Sequence, residues 1–227
     1  SLLLCNDRIA AVFGEPEPIL NFPKISLATV DLHGATVCPG FTDSHLHLID
    51  WGLTLSRVEL GAARGIEDMI QILAARKRAE PPAPGAWVFG QGWSHNNWTA
   101  PTLPLTPEPL DRLYPENPVV LHSKCFHLAW ANSAALRAAG ITPETPSPAY
   151  GEIARDPRTG ALTGILKEDA VGLLDRAIGP ASAGQLREAL RRAARAAHEF
   201  GVTAVHNMES PENFRIAQQA RAEGELR

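Results

Sequence analysis

The sequence predicts an α/β protein with an α+β insert, and three observations carry that prediction. The chain opens on short strand-like segments. It closes on a helix, a short apolar strand and a second helix, which is the grammar of parallel α/β architecture. Between them lies a long stretch rich in proline, in which nine of the 19 prolines fall between Pro81 and Pro118 and exclude long helices. The 227 residues, 44% hydrophobic and 20% charged, are enough for one large or two small domains and do not suit a disordered chain.

The elements follow in order. Leu2–Leu4 and Ile9–Phe13 flank the turn signal Asn6-Asp7 and read as a hairpin. Residues 25–30 alternate, and 35–38 read as a further short strand ended by Pro39-Gly40. A strand then carries Asp43-Ser44-His45-Leu46-His47, where period-2 geometry projects His45 and His47 together and the leucines oppositely. Ile66, Met69, Ile70 and Leu73 keep helical spacing and run into the basic end Arg76-Lys77-Arg78. Strands are expected at 87–90 and 118–122, and a short helix capped by Asn132 runs to Gly140. Residues 152–155 and 161–166 read as a hairpin across a long turn. Ser182 and Gln185 form a capping box for a helix ending at Gly201. The strand 202–206 follows, and Ser210-Pro211 opens the last helix.

Composition removes several function classes. A formal net charge of -4 offers no electrostatic reason for a nucleic-acid or anionic-membrane partner. No run of about 18 uncharged apolar residues exists to span a bilayer. The opening residues make a poor signal peptide, and three scattered cysteines, Cys5, Cys38 and Cys125, argue against a disulfide framework. Each cysteine is expected to be a small buried apolar residue, and the expected compartment is the cytoplasm.

Two imidazoles on one face of a strand can hold a divalent cation at about 2.0–2.1 Å from nitrogen, and Asp43 offers a carboxylate to orient an imidazole N–H. In bare form such a pair is also compatible with two ordinary surface or core histidines. Its context is more specific. Residues 31–47, ending Pro39-Gly40-Phe41-Thr42-Asp43-Ser44-His45-Leu46-His47, resemble the opening motif of the amidohydrolase superfamily. Gly90-Gln91-Gly92-Trp93, the run from His127 through Trp130, Asn132 and Ser133 to Leu136, the run from Thr163-Gly164 to Glu168 and Ala170, and Gly201-Val202-Thr203 resemble the YtcJ-like branch.

The resemblance implies a metal-dependent-hydrolase (β/α)8 barrel, of which this chain would hold the first two βα units. Residues 1–40 would then be N-terminal strands of a composite β-sandwich, 41–50 the first barrel strand, and 51–180 an inserted α+β lid. Residues 181–227 would supply a helix, the second barrel strand and its helix. It implies His45 and His47 as metal ligands, with zinc the expected metal of the full-length enzyme and absence from this chain alone the companion expectation. Glu168 and His127 are candidate catalytic residues. Trp93, His95, Trp98 and His206 are candidates for the pocket of a small amide-type substrate. A barrel needs on the order of 250 residues, so the chain reads as an inactive N-terminal fragment whose exposed barrel edges favour homo-oligomers. The alternative from another class is a non-catalytic binding or assembly module. A minor third reading is C–O or C–Cl chemistry on the same fold.

Overall fold

The structure is a computed structural model that describes residues 1–6, 8–14, 28–99 and 105–226. It divides into two compact units, Ser1–Pro39 and Gly40–Arg227. The first holds an antiparallel hairpin, β1 (Leu2–Cys5) with β2 (Arg8–Val12), in which Leu2 pairs with Val12 and Cys5 with Arg8. The strand expected at 35–38 is not formed, and residues 28–30 are likewise outside any strand. Residues 25–27 lie outside the described residues.

In the second unit, β3 (Phe41–Leu46) leads directly into α1 (Leu48–Thr54). β3 pairs in parallel with β10 (Val202–Asn207), which is flanked by α6 (Ala183–Glu199) and α7 (Pro211–Ala222). The chain ends of these helices are where the sequence placed them. Ser182 Oγ accepts from Gln185 N while Gln185 Oε1 accepts from Ser182 N, and Ser210 Oγ accepts from Asn213 N. The apolar faces meet in one core of Leu48, Ile49, Leu190 and the small residues Ala189, Ala193, Ala217 and Ala220. Small residues let the helices approach closely. A Cβ on Gly52 would sit 2.0 Å from the Ala189 carbonyl oxygen, so glycine is required at that crossing.

Between α1 and α6 the chain builds a six-stranded mixed sheet. It comprises β4 (Val58–Glu59), β5 (Val88–Trp93), β6 (Val119–Ser123), β7 (Leu128–Ala131), β8 (Gly151–Arg155) and β9 (Leu162–Glu168), in the order β4-β5-β6-β7-β9-β8. The first two pairings are parallel and the rest antiparallel. All five residues of β6 are buried, because both faces of the sheet are covered. Val119 and Leu121 join Met69 and Leu73 of α2 (Ile66–Ala79) and Leu110 of α3 (Glu108–Leu113). Val120 faces the other way, toward Leu136 of α4 (Ser133–Ala138) and Leu174 of α5 (Val171–Ile178).

Asn132 ties the middle of this sheet together. Fully buried, it accepts from Ala135 N and Val119 N through Oδ1, at 2.9 Å each. Its Nδ2 donates to the carbonyls of Tyr114 and Asn117. The cysteines depart from expectation: Cys5, Cys38 and Cys125 are all exposed, since they sit at a hairpin end, outside regular structure and in a turn. No described helix is long and apolar enough to cross a membrane.

Candidate functional site

His45 is the penultimate residue of β3, and His47 is the residue from which α1 starts. Their rings lie 5.8 Å apart between centroids at 64°. Two imidazoles sharing one tetrahedral ion at about 2.1 Å per nitrogen would place their centroids roughly 5 Å apart, a separation close to that of this pair. Asp43 serves the backbone instead of a ring: its Oδ1 accepts from His45 N at 2.9 Å, which fixes the bend of the strand.

The end of β10 and the loop after it hold this turn in place. Met208 N donates to Leu46 O, and Asn207 Oδ1 accepts from Leu48 N. Glu209 Oε1 accepts from Ile49 N at 2.6 Å and Asp50 N at 3.3 Å, satisfying the open first turn of α1. Asn213 bridges Glu209 and Asp50. Burial and the Glu209 charge push the Asp50 carboxyl up, while His47, 4.0 Å away, and Asn213 oppose the shift. Sequence reasoning missed Glu209 and Asp50. The available signal was the polar residues Asn207, Glu209 and Ser210 at and just beyond the end of an apolar strand.

His127 and Glu168 stand 41 residues apart and meet side by side. They extend the β7–β9 pairing by one position, with Glu168 N donating to His127 O at 2.9 Å. His127 Nδ1 and Glu168 Oε2 are 2.6 Å apart, and the hydrogen bond and charge of Glu168 push the His127 imidazole up. With Nδ1 occupied, Nε2 is the nitrogen left for other partners. Phe126 (φ 63°) and Glu168 (φ 49°) both take left-handed backbone, a conformation costly for residues with side chains and concentrated at functional turns. Next to them the exposed Cys125 thiol is pushed down, chiefly by the Ser123 hydroxyl 3.3 Å away and by the His127 backbone.

The remaining candidates separate. Trp93 departs from the pocket-lining expectation. It is 1% exposed with Nε1 donating to Leu121 O, so its ring belongs to the core. Trp98 packs beside it at 5.9 Å, half-buried. His95 is exposed in a short 3-10 turn, His95–Asn97, and His206 is exposed on β10. Lys167, next to Glu168, pairs with Glu152 at 2.7 Å. Among the described residues no hydrogen bond or ion pair links the His45–His47 pair to the His127–Glu168 pair. Nor does any group of three His, Cys, Asp or Glu converge as a complete metal site. The donors present therefore fit half of a tetrahedral set.

Comparison with known proteins shows the family. The pattern of the amidohydrolase family matches residues 28–227. The chain is 36% identical over 201 residues to the putative amidohydrolase YtcJ of Bacillus subtilis, covering 88% of this chain and 36% of that protein. It is 34% identical over 179 residues to the N-substituted formamide deformylase of Arthrobacter pascens, covering 78% and 32%. An uncharacterized metal-dependent hydrolase from Pyrococcus horikoshii superposes with a TM-score of 0.60 at 28% identity, covering 83% of this chain and 35% of that one. The chain thus spans about a third of the length of these relatives. With the family pattern across most of its length and a histidine pair at the strand end, the chain belongs to the amidohydrolase family.

Proposed function

We propose that this chain contributes part of the active site of a metal-dependent hydrolase acting on amide-like C–N bonds, with His45 and His47 as two of the metal's ligands. The observation that carries the reading is the convergence of the two rings, 5.8 Å apart, where β3 ends beside its parallel partner. A divalent cation bound there supplies Lewis-acid polarisation and an acidified water. Zinc suits two imidazoles. β3 and β10 act as the first two strands of a barrel, and residues 51–180 act as a lid over its mouth.

The chain's own residues then have separable tasks. His45 and His47 bind, and the Asn207–Glu209 loop keeps their turn from moving. His127 holds a proton on Nδ1 against Glu168 and presents Nε2 to substrate. His206, His95 and Trp98 line the approach. The N-substituted formamide chemistry named for the Arthrobacter relative supports a small amide substrate. These 227 residues, with two imidazoles of a tetrahedral set, bind zinc weakly and turn over no amide by themselves. They act in the cytoplasm, and their open β3 and β10 edges favour self-association.

The test is a zinc titration of the purified chain followed by histidine NMR, beside His45→Ala and His47→Ala, with an N-substituted formamide assay. Selective perturbation of His45 and His47, lost in either variant, is expected, with no turnover. Zinc binding that survives His47→Ala, or an absence of any effect on these two rings at millimolar zinc, overturns the ligand assignment.

A further inference from the structure

A cavity of about 1020 Å³ opens between the six-stranded sheet and helices α1 and α6. None of His45, His47, His127, Glu168 or His206 lines it. Its wall includes Arg57, Trp87, Phe89, His122 and Asp175. Trp87 and Phe89 stack at 6.2 Å and 7°, making a flat apolar surface, and the Arg57 guanidinium lies 6.0 Å above the Phe89 ring.

Arg57 is the unusual member. It is half-buried, yet among the described residues no carboxylate lies within 4.0 Å of it and no acceptor takes its side-chain N–H groups. The other arginines of this wall are satisfied: Arg76 pairs with Glu80 at 2.6 Å and Arg192 with Glu188 at 3.2 Å. Burial opposes the Arg57 charge, and Asp175 compensates only from a distance. His122, 7% exposed, also lines the cavity, and its Nδ1 is buried without a partner. Burial and Arg57 push the His122 imidazole down, which favours its neutral form, a ring with one donor and one acceptor nitrogen. A planar fork of unused donors, an unpartnered imidazole and an aromatic floor are the parts needed to hold a planar anion attached to a flat apolar body.

We propose that this cavity is a binding site for a small aromatic carboxylate, its carboxylate on Arg57 and His122 and its ring against Trp87 and Phe89. The site is separate from the histidine pair, so its occupation and zinc binding are independent measurements.

Benzoate is the probe, titrated into the 227-residue chain by calorimetry and by saturation-transfer NMR. Millimolar or tighter binding is expected, with benzamide, the uncharged isostere, weaker by roughly tenfold or more. Arg57→Met keeps the apolar stem and is expected to weaken benzoate by roughly tenfold to a hundredfold. Asp175→Asn removes the opposing charge and is expected to tighten binding severalfold, which guards against a folding defect in the Arg57 variant. His45→Ala is expected to leave benzoate binding unchanged. No detectable benzoate binding at millimolar concentration overturns the proposal. So does equal binding of benzamide, inorganic phosphate binding in place of benzoate, or weakening by Asp175→Asn.

Discussion

Replacing Asn132 with alanine tests whether one buried amide organises the half of the molecule that presents His127. Asn132 makes four hydrogen bonds from a position with no solvent exposure. Losing the cap on α4 costs about 1 kcal/mol. The buried Val119 N–H, left without an acceptor, costs about 1–3 kcal/mol, and the two carbonyls lose their donor as well. The sum is about 3–5 kcal/mol, or a melting decrease of about 10 °C for a unit of this size. Urea denaturation of wild type and variant, followed by tryptophan fluorescence, reads it directly. Asn132→Asp sharpens the test, because it keeps both acceptor bonds but directs a charge at two carbonyls. Its buried carboxyl must have a folded pKa above the unfolded value of about 3.9. Its stability relative to wild type is therefore best at low pH and falls as pH rises through the raised value. An Asn132→Ala protein within about 1 kcal/mol of wild type would refute this account of the sheet.

Three further outcomes follow from the same structure. Gly52→Ala drives a methyl group into the Ala189 carbonyl and is expected to cost about 1–3 kcal/mol or more in denaturant melts; an unchanged midpoint would mean α1 and α6 do not cross so closely. Glu168→Gln should lower the NMR titration midpoint of His127, whose raised value in the wild type favours the folded state below the ordinary histidine value of 6.5. That contribution disappears as pH rises through the folded value, and a midpoint unmoved by the substitution would dissolve the pair. Glu225 is held down to about 2 by hydrogen bonds from Arg187 and Arg191 on α6. Its contribution is complete above the ordinary 4.5 and fades as pH falls toward about 2, so wild type and Glu225→Gln should converge in stability at acid pH.

Local signals were the legible ones. The Ser182–Gln185 box, the Ser210 and Asn132 caps and the Leu2–Val12 hairpin all appear where short-range chemistry placed them. Helices without such signals went unread: α5 starts at Val171 behind Ala170, which supplies no side-chain cap, and α1 begins immediately after a strand. β7 also escaped, because four residues after a turn acquire strand character only from β6 and β9 on either side. The exposed cysteines and the core position of Trp93 failed for a related reason, since burial is a property of neighbours supplied by distant segments.

By itself, the sequence determined the family, through the spacing of its motifs, and it put His45 and His47 two residues apart; the strand it expected to carry both ends at Leu46, and His47 is where α1 starts. Only the tertiary structure decided that His127 meets Glu168, that Glu209 locks the turn at His47, and that Arg57 faces a cavity without a counter-ion. Those contacts join residues 41 to 160 positions apart. No local propensity encodes such pairings; strand register and the packing of α1 against α6 bring them together.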